Sequence, residues 1–564
     1  MTRFNTSVKR IPTAPDTINK AGGEAYSQSA DLELASILLT SFGGDSFYRS
    51  ADDTFARVKE LIAKCDKLFV AKAAVYARRE FGMRSITHVV AAELAKYIGG
   101  LDWAKDFYAR IVYRPDDMSE IMSYYFANCA KKSSKSKRGR KTIPNAMKAG
   151  FAKAFEGISA YGFAKYRGAG NGIKLVDVVN IVHPVPSEAN GYVPVNSKEY
   201  ANAISEAKRK VLGKEVNTVK EIPALEALTL GLLKPAETWE TKLTQAGQNA
   251  ESEDEKADLK KDAWVSLITE KKIKYLALLR NLRNIIEQAP EVVDAACDML
   301  TDKEAVKNSL VFPFQYMSAY EQVEMLNSSV ARKVLKALNV AIDISCSNVP
   351  KFDGETLVVL DVSSSMTSCM SDKTKMTVAK IGALFAAVLV KSNDADFMTF
   401  DGTARYKNLN SQDSTMTVAG SIKFTGGSTN FDSIFEAANK KYDRIVILSD
   451  MQGWVGYHVP KNSFNRYKTA TKANPYIYSF DLQNYGTMQF AESKVLALAG
   501  FSDKVFDIMK MVEQDPKAFV NAINDYSLTP AVKAPVKGTN GVVKKVKVVK
   551  SASAKTKVKK ATVK

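Results

Sequence analysis

"LVVLDVSSSM", residues 357–366, is an apolar run that stops on an aspartate and then offers three consecutive serines. Three chemistries use such a stretch: a hydrolase nucleophile, a phosphate loop, or one edge of a metal site. A hydrolase elbow needs Gly-x-Ser-x-Gly and a histidine base, but "DVSSSM" lacks the glycines and the sole later histidine is His458. A phosphate loop needs Gly-x-x-x-x-Gly-Lys-Ser/Thr, which is absent. Mere capping of the next helix by Ser363–Ser365 leaves the matching residues downstream without a role.

Those residues follow from the texture after Pro350. Short β-rich runs, "TLVVLD" (356–361), "ADFMTF" (395–400), "RIVILSD" (444–450) and "YIYSFDL" (476–482), alternate with helical stretches. That alternation describes a doubly wound, Rossmann-like α/β domain over 350–526. In such sheets ligands gather at the carboxyl ends of strands. Asp361 ends one strand and Asp450 another, with the loop "FTGGSTNFD" (424–432) between them. Asp361, Ser363, Ser365, Thr429 and Asp450 then supply five oxygen ligands, a set that suits Mg²⁺, with Mn²⁺ or Ca²⁺ as substitutes. Ser428, beside Thr429, is an alternative for the loop position.

This constellation resembles the metal-ion-dependent adhesion site of von Willebrand factor A domains, and the five residues match that pattern one by one. "STNF" is similar to the family's "GTNF" or "GTDF", which favours Thr429. The resemblance implies a metal with one coordination place left to water or to a partner's acidic group.

Upstream, residues 31–349 are helical in pattern almost throughout. "ADLELASILLTSF" and "FARVKELIAKCDKLFVAKAAVYARREF" place apolar residues at three- and four-residue spacing, which reads as an α-solenoid of paired helices without a fixed repeat length. Asp52, Ser85, Asp116 and Ser119 are the expected N-caps, and the acidic "ESEDEKADLKKD" (251–262) reads as a solvated helix start. Residues 1–30 read as an irregular arm and 527–564 as a Lys-rich tail without regular structure.

The chain of 564 residues carries 80 Lys+Arg against 61 Asp+Glu, a net +19. Eleven lysines and no acid fall in 531–564, so 19 − 11 leaves +8 on the rest, and a polyanion is the natural partner. Residues 131–180 hold twelve basic and two acidic residues, with Tyr161, Phe163 and Tyr166 among them, a mixture suited to phosphate contact and base stacking. The five cysteines form no CxxC pair, which argues against a disulfide framework and a structural zinc. With no signal-peptide core and no apolar run of about 18 residues, the expectation is a cytoplasmic protein without a membrane span.

"AGGEAY" (21–26), the "KY…D-V…HP" segment within 163–186, "ETWE" (237–240), "W…YLALLRNLRNI" (264–285), "LDVSSSM" and "LSDMQ" occur in the order found in the TROVE family, the group of the Ro 60 kDa autoantigen and its bacterial and phage relatives. The chain resembles that family over about 30–526. The resemblance implies a monomeric ring of HEAT-like repeats closed by the A domain. It implies a non-catalytic scaffold for small structured Y-like RNA and for single-stranded 3′ ends of defective RNA, working with an exoribonuclease in RNA quality control. Lys165, Arg167 and His183 fall on the family's outer RNA-contacting segment, and Lys174 lies within it. Lys137, Arg138, Arg140, Lys141 and Lys148 belong to the adjoining basic stretch, and Arg280 and Arg283 are candidates for the hole. His183 before Pro184 is equally a helix-end residue, and Arg280 and Arg283 are equally structural. The alternative function is a protein-interaction module that captures a partner's acid at the metal, and a third is Lewis-acid catalysis by that metal.

Overall fold

The computed structural model describes residues 17–18, 24–25, 29–40, 51–130, 142–168, 172–190, 197–213, 222–309, 311, 313–346, 349, 351–367, 377–453, 460–482, 494–499, 504–514 and 518–529. Two short strands, β1 (Thr17–Ile18) and β2 (Glu24–Ala25), pair antiparallel within the segment expected to be irregular. The helices that follow are α1 (Ala30–Thr40), α2 (Ala51–Lys64), α3 (Lys67–Arg79), α4 (Ser85–Leu94), α5 (Ala104–Ile111) and α6 (Pro115–Asn128). Next come α7 (Asn145–Phe155), α8 (Ala160–Tyr166), α9 (Leu175–Val182), α10 (Ser197–Val211), α11 (Ala224–Thr229) and α12 (Trp239–Gln248). The helical part ends with α13 (Glu253–Thr269), α14 (Tyr275–Gln288), α15 (Val293–Thr301), α16 (Lys303–Ser309), α17 (Pro313–Glu324) and α18 (Ser329–Cys346).

Burial of one face, more than propensity, accounts for these helices. Val58, Leu61 and Ile62 in α2 and Val70, Ala73, Ala74 and Ala77 in α3 share the spacing of a single stripe, and all are buried. Between the two, Asp66 accepts the Phe69 amide at 2.9 Å and caps α3. Lys67 Nζ donates to the carbonyls of Ile62 (2.7 Å), Ala63 (2.9 Å) and Cys65 (2.7 Å), closing α2. Two adjacent residues thus satisfy both helix ends. Each helix also packs on its successor but one: α2 on α4, α3 on α5, α4 on α6, α5 on α7 and α7 on α9. That is the stacking of paired helices in a solenoid.

The expected caps are corrected. Asp52 and Ser119 lie inside α2 and α6, Ser85 opens α4 after Arg84, and Asp116 sits in the first turn of α6 behind Pro115. With proline at the first helical position, Arg114 takes the cap and α6 starts two residues earlier than a cap at Asp116 would place it. At the acidic patch, Ser252 accepts the Glu255 amide at 3.1 Å, and Glu253, Asp254 and Glu255 fill the first turn of α13, where the helix dipole favours them.

The A domain is a six-stranded sheet of β3 (Thr356–Asp361), β4 (Asp396–Phe400), β5 (Ala404–Lys407), β6 (Arg444–Ser449), β7 (Tyr476–Asp481) and β8 (Val495–Ala499), in the order β5-β4-β3-β6-β7-β8. All neighbours pair in parallel except β5, which runs antiparallel to β4, so the sheet is mixed rather than wholly parallel. The helices here are α19 (Val378–Asn393), α20 (Thr415–Ser421), α21 (Asp432–Ala437), α22 (Pro460–Thr471), α23 (Lys504–Gln514) and α24 (Ala518–Asn524).

Alternate strand residues serve opposite faces. Val358, Leu360, Val446 and Leu448 share a core with Ile381, Leu384 and Phe385 of α19, whereas Leu357, Val359, Ile445 and Ile447 pack with Ile434, Phe435 and Phe464 of α21 and α22. A Cβ on Gly382 would come within 2.8 Å of Leu360 Cδ1, so glycine sets how closely α19 approaches β3. The α19 side is continuous with the core of the helical part. Asp343 of α18 reinforces that junction by accepting the Thr415 amide at 3.0 Å and Lys391 Nζ at 3.2 Å. At the other end of the chain α23 packs on α1 and α24 on α3. There Tyr526 donates to Glu80 at 2.7 Å, and Lys72 donates to the Asn524 carbonyl. Among the described residues, no helix is long and apolar enough to cross a membrane, and Cys65, Cys129, Cys297 and Cys346 are free thiols.

One buried carboxylate ties α3, α4 and α6 together. Asp117, fully buried, accepts Arg78 Nε (3.1 Å) and Nη2 (2.9 Å), His88 Nε2 lies 3.0 Å away, and the amides of Tyr113 and Arg114 donate at 2.9 Å. Burial pushes this carboxyl up, but the His88 hydrogen bond and charge, the Arg78 charge and the Arg114 amide outweigh burial and hold it well below the usual carboxylate range. Asp117→Asn strips the buried Arg78 of its counter-ion, and the expected loss is about 3–5 kcal/mol of unfolding free energy, read by urea denaturation. The depressed group stabilises fully above its unfolded value of about 3.9 and loses that contribution as pH falls through the folded value. The gap between the two proteins therefore narrows in acid.

Candidate metal centre and nucleic-acid interface

Asp361 closes β3, and Asp450 follows the last residue of the neighbouring β6, so both carboxylates reach the same end of the sheet. Asp361 Oδ1 accepts the Ser363 amide at 2.9 Å and Oδ2 accepts Ser449 Oγ at 2.6 Å. Ser363 Oγ lies 3.2 Å from Ser365 Oγ, and the Ser365 hydroxyl bonds in turn to Asp450. Four of the five expected ligands thus form one hydrogen-bonded set. Asp361, Ser363 and Asp450 are buried while Ser365 is exposed, so the set opens to solvent on the serine side.

The loop that carries Thr429 is tied to the turn that carries the serines. The Gly426 amide donates to the Val362 carbonyl at 3.1 Å, Gly427 N to Ser364 Oγ at 2.9 Å, and Ser364 N to the Gly427 carbonyl at 3.3 Å. This staple uses φ values of +73° and +120° at the two glycines, a region that side chains avoid. Two residues on, Thr429 is buried, while Ser428 Oγ sits 3.2 Å from where a Cβ on Gly402 would lie. The Ser428 hydroxyl is therefore turned toward the β4–β5 connection, and Thr429 toward the interior.

Both aspartates are short of positive charge. Burial, with the Asp450 charge adding to it, pushes Asp361 up to about 7, and burial raises Asp450 as well. Among the described residues no ion pair reaches either carboxylate. Two buried acids and three hydroxyls, with no nitrogen or sulfur, make a donor set that fits a small divalent cation. Sequence reading missed Ser449, which orients Asp361, and Met451, whose φ of 57° places a non-glycine residue in the left-handed region just after Asp450. Such backbone strain clusters at functional sites.

On the helical part, α8 and α9 both pack on α6 and α11, which gives the expected basic residues a common support. Lys165, half-buried in the last turn of α8, lies 6.0 Å from the ring centre of Tyr161 and 5.5 Å from that of Tyr166. Arg167 is exposed and donates to the Leu233 carbonyl at 2.6 Å. Lys174 is exposed before α9, and Lys148 is half-buried on α7. Of the two readings of His183, the structure shows the helix-end one: its backbone N–H, at φ 51°, donates to the Val179 carbonyl at 2.9 Å and closes α9, and the residue is exposed.

Lys137, Arg138, Arg140 and Lys141 lie outside the described residues. Arg280 and Arg283 are exposed on α14, which packs on α13, α15 and α17 and so belongs to a different group of helices. Arg283 also pairs with Glu287 at 3.0 Å. Sequence reading missed Arg114, whose guanidinium lies 4.7 Å from the ring centre of Tyr166. Its segment, "YRPDD", was legible only as a break between helices.

Comparison with known proteins agrees with this architecture. Residues 355–512 match the family model of the Ro60 vWA domain, and residues 231–387 match that of the TROVE domain. Telomerase protein component 1 of Rattus norvegicus is 22% identical over 359 residues, and that of Mus musculus 21% over 360. Each alignment covers 54% of this chain, and the chain spans only 13% of the length of either relative. The crystal structure of the Deinococcus radiodurans RO (RSR) protein covers 88% of this chain and 100% of its own, with a TM-score of 0.56 at 16% identity, a likeness of fold. Residues 231–387 and 355–512 thus tie this chain to the TROVE domain and to the Ro60-type von Willebrand factor A domain, in that order.

Proposed function

We propose that this chain is a non-catalytic RNA-binding scaffold. Its ligands are small structured non-coding RNA of the Y-like kind and the single-stranded 3′ ends of defective RNA. The observation that carries the reading is the basic and aromatic set on α8 and α9, Tyr161, Lys165, Tyr166, Arg167, Lys174 and His183, held on one support in a chain whose residues 231–387 match the TROVE domain. Its cations meet phosphates, and its rings meet unpaired bases. The likeness to a protein named as a telomerase component points the same way. The contacts of α23 and α24 with α1 and α3 support a monomeric ring. An exoribonuclease partner and a place in cytoplasmic RNA quality control complete the proposal.

At the A domain we propose Mg²⁺, held by Asp361, Ser363, Ser365, Thr429 and Asp450. Bound there, the ion would supply positive charge to an acidic or phosphate oxygen of a ligand. Ser449 orients Asp361, and the Gly426–Gly427 staple holds the threonine loop. Among the described residues no histidine stands ready as a base for this set, since His88 is committed to Asp117 and His183 ends α9. A second reading, capture of a partner protein's carboxylate, is favoured by the exposure of Ser365 at the mouth of the set.

RNA binding is read by fluorescence anisotropy with a stem-loop carrying a single-stranded 3′ end. The expected result is an affinity that falls steeply with salt. Replacing Lys165, Arg167 and Lys174 by Gln should flatten the slope of log K against log salt by roughly 2–3. Unchanged affinity and slope would sink the RNA reading. For the metal, calorimetry should show Mg²⁺ binding to the wild type and none to Asp361→Asn, with RNA affinity at the α8–α9 face preserved. Loss of a co-purifying protein partner in that variant, with no RNA bound to either protein, would move the assignment to the interaction module.

A further inference from the structure

The connection between α5 and α6, residues 112–114, carries a feature that the scaffold does not require. Tyr113 is 59% exposed, although its amide is locked to the buried Asp117. Its ring lies 5.2 Å from the guanidinium of Arg78 and 5.1 Å from that of Arg79. Arg78 is neutralised by Asp117, but Arg79 donates only to carbonyls, those of Arg110 (2.9 Å) and Val112 (2.6 Å). Arg110, nearby, keeps a buried Nε without a partner and faces the ring of Tyr526 at 5.9 Å. Positive charge thus gathers around Tyr113 without matching acids, and burial followed by the Arg110 and Arg78 charges presses the Arg79 guanidinium down.

The next residue extends the pattern. Arg114, paired with Asp116 at 2.7 Å, faces Tyr166 at 4.7 Å, Tyr166 faces Lys165 at 5.5 Å, and Lys165 faces Tyr161, itself 52% exposed, at 6.0 Å. Cations and rings therefore alternate from Tyr161 on α8 to Arg114 in the α5–α6 connection, and the exposed Tyr113, on its own arginine pair, precedes Arg114 in the chain. Tyr113 and Tyr161 keep half their surface or more in solvent.

We propose that this surface, Tyr161, Lys165 and Tyr166 of α8 with Arg79, Tyr113 and Arg114 at the α5–α6 connection, binds an unpaired stretch of RNA. Bases stack on Tyr113 and Tyr161, and phosphates lie on Lys165 and Arg79, the cations without an acidic partner among the described residues. The proposal rests on the RNA reading above and adds to it a strand-selective subsite. Single-stranded nucleic acid is held by this mixture because every base has a face to stack while the backbone tracks positive charge. A paired stem offers phosphates but no free base faces.

The test uses the full chain, a labelled oligouridine and a fully paired hairpin without an overhang. Tyr113→Ala should weaken oligouridine binding roughly ten-fold, Tyr161→Ala comparably, and Tyr113→Trp should restore it, since stacking is worth about 1–3 kcal/mol per base. The salt slope should stay unchanged, because no charge is removed, and hairpin affinity should hold. Equal losses on both probes would mean that the ring only packs the arginines, which overturns the subsite. Wild-type oligouridine affinity in both alanine variants, with loss in Lys165→Gln/Arg167→Gln, overturns the subsite and leaves the RNA reading standing. Wild-type affinity in the charge variant as well removes both.

Discussion

A carboxylate sealed from water must be surrounded by donors, and in this chain Asp117 imposes that requirement on everything near it. Arg78 comes from α3, His88 from α4 and two amides from the connection before α6. Satisfying one acid therefore fixes three helices relative to one another and sets the backbone of Tyr113 and Arg114. The side chains of those two residues are left to point elsewhere. Tyr113 lies on an arginine pair, and Arg114 reaches the ring of Tyr166. A buried polar contact thereby determines the shape of an exposed surface.

In the A domain the organising constraint is parallel pairing. Strands that run the same way deliver their last residues to one edge, and Asp361 and Asp450 arrive there side by side. Neighbouring acids repel and burial penalises both, so the arrangement is costly unless a cation or protons occupy it. The protein stabilises the loops rather than the charges: the diglycine turn is bonded to residues 362–364, and Ser449 holds Asp361. Such rigidity is what a cation site needs, because coordination geometry must exist before the ion arrives.

How much of this was legible in the sequence depended on the range of the interactions. The four long strands announced themselves by apolar runs, and their terminal acids marked the sheet edge. β5, "ARYK", alternates polar and apolar character over too few residues to register, and "VLALA" of β8 suits a helix as well as a strand. Pro115 displaced the α6 cap by two residues, from Asp116 to Arg114, a local effect of proline chemistry that the acid at 116 masked. The candidate metal-site residues could be nominated because each falls in a short local segment, 361–365, the 424–432 loop or the end of β6. Tyr113 and Arg114 could not, because their partners, Arg79 and Tyr166, are 34 and 52 residues away.

The same distinction separates two kinds of RNA affinity. A body charge of +8 and a tail of eleven lysines attract any polyanion, and that attraction carries no information about the ligand's structure. Discrimination needs groups whose contribution changes when a base leaves its pair, and only ring faces open to solvent do so here. The helical array can display such rings because a solenoid stacks its helices without enclosing their connections. The connection at 112–114 remains on the surface while its amides stay anchored to a buried acid. Rigidity inside and exposure outside are thus two consequences of one arrangement, and a surface ring held this firmly loses little conformational entropy when a base settles on it.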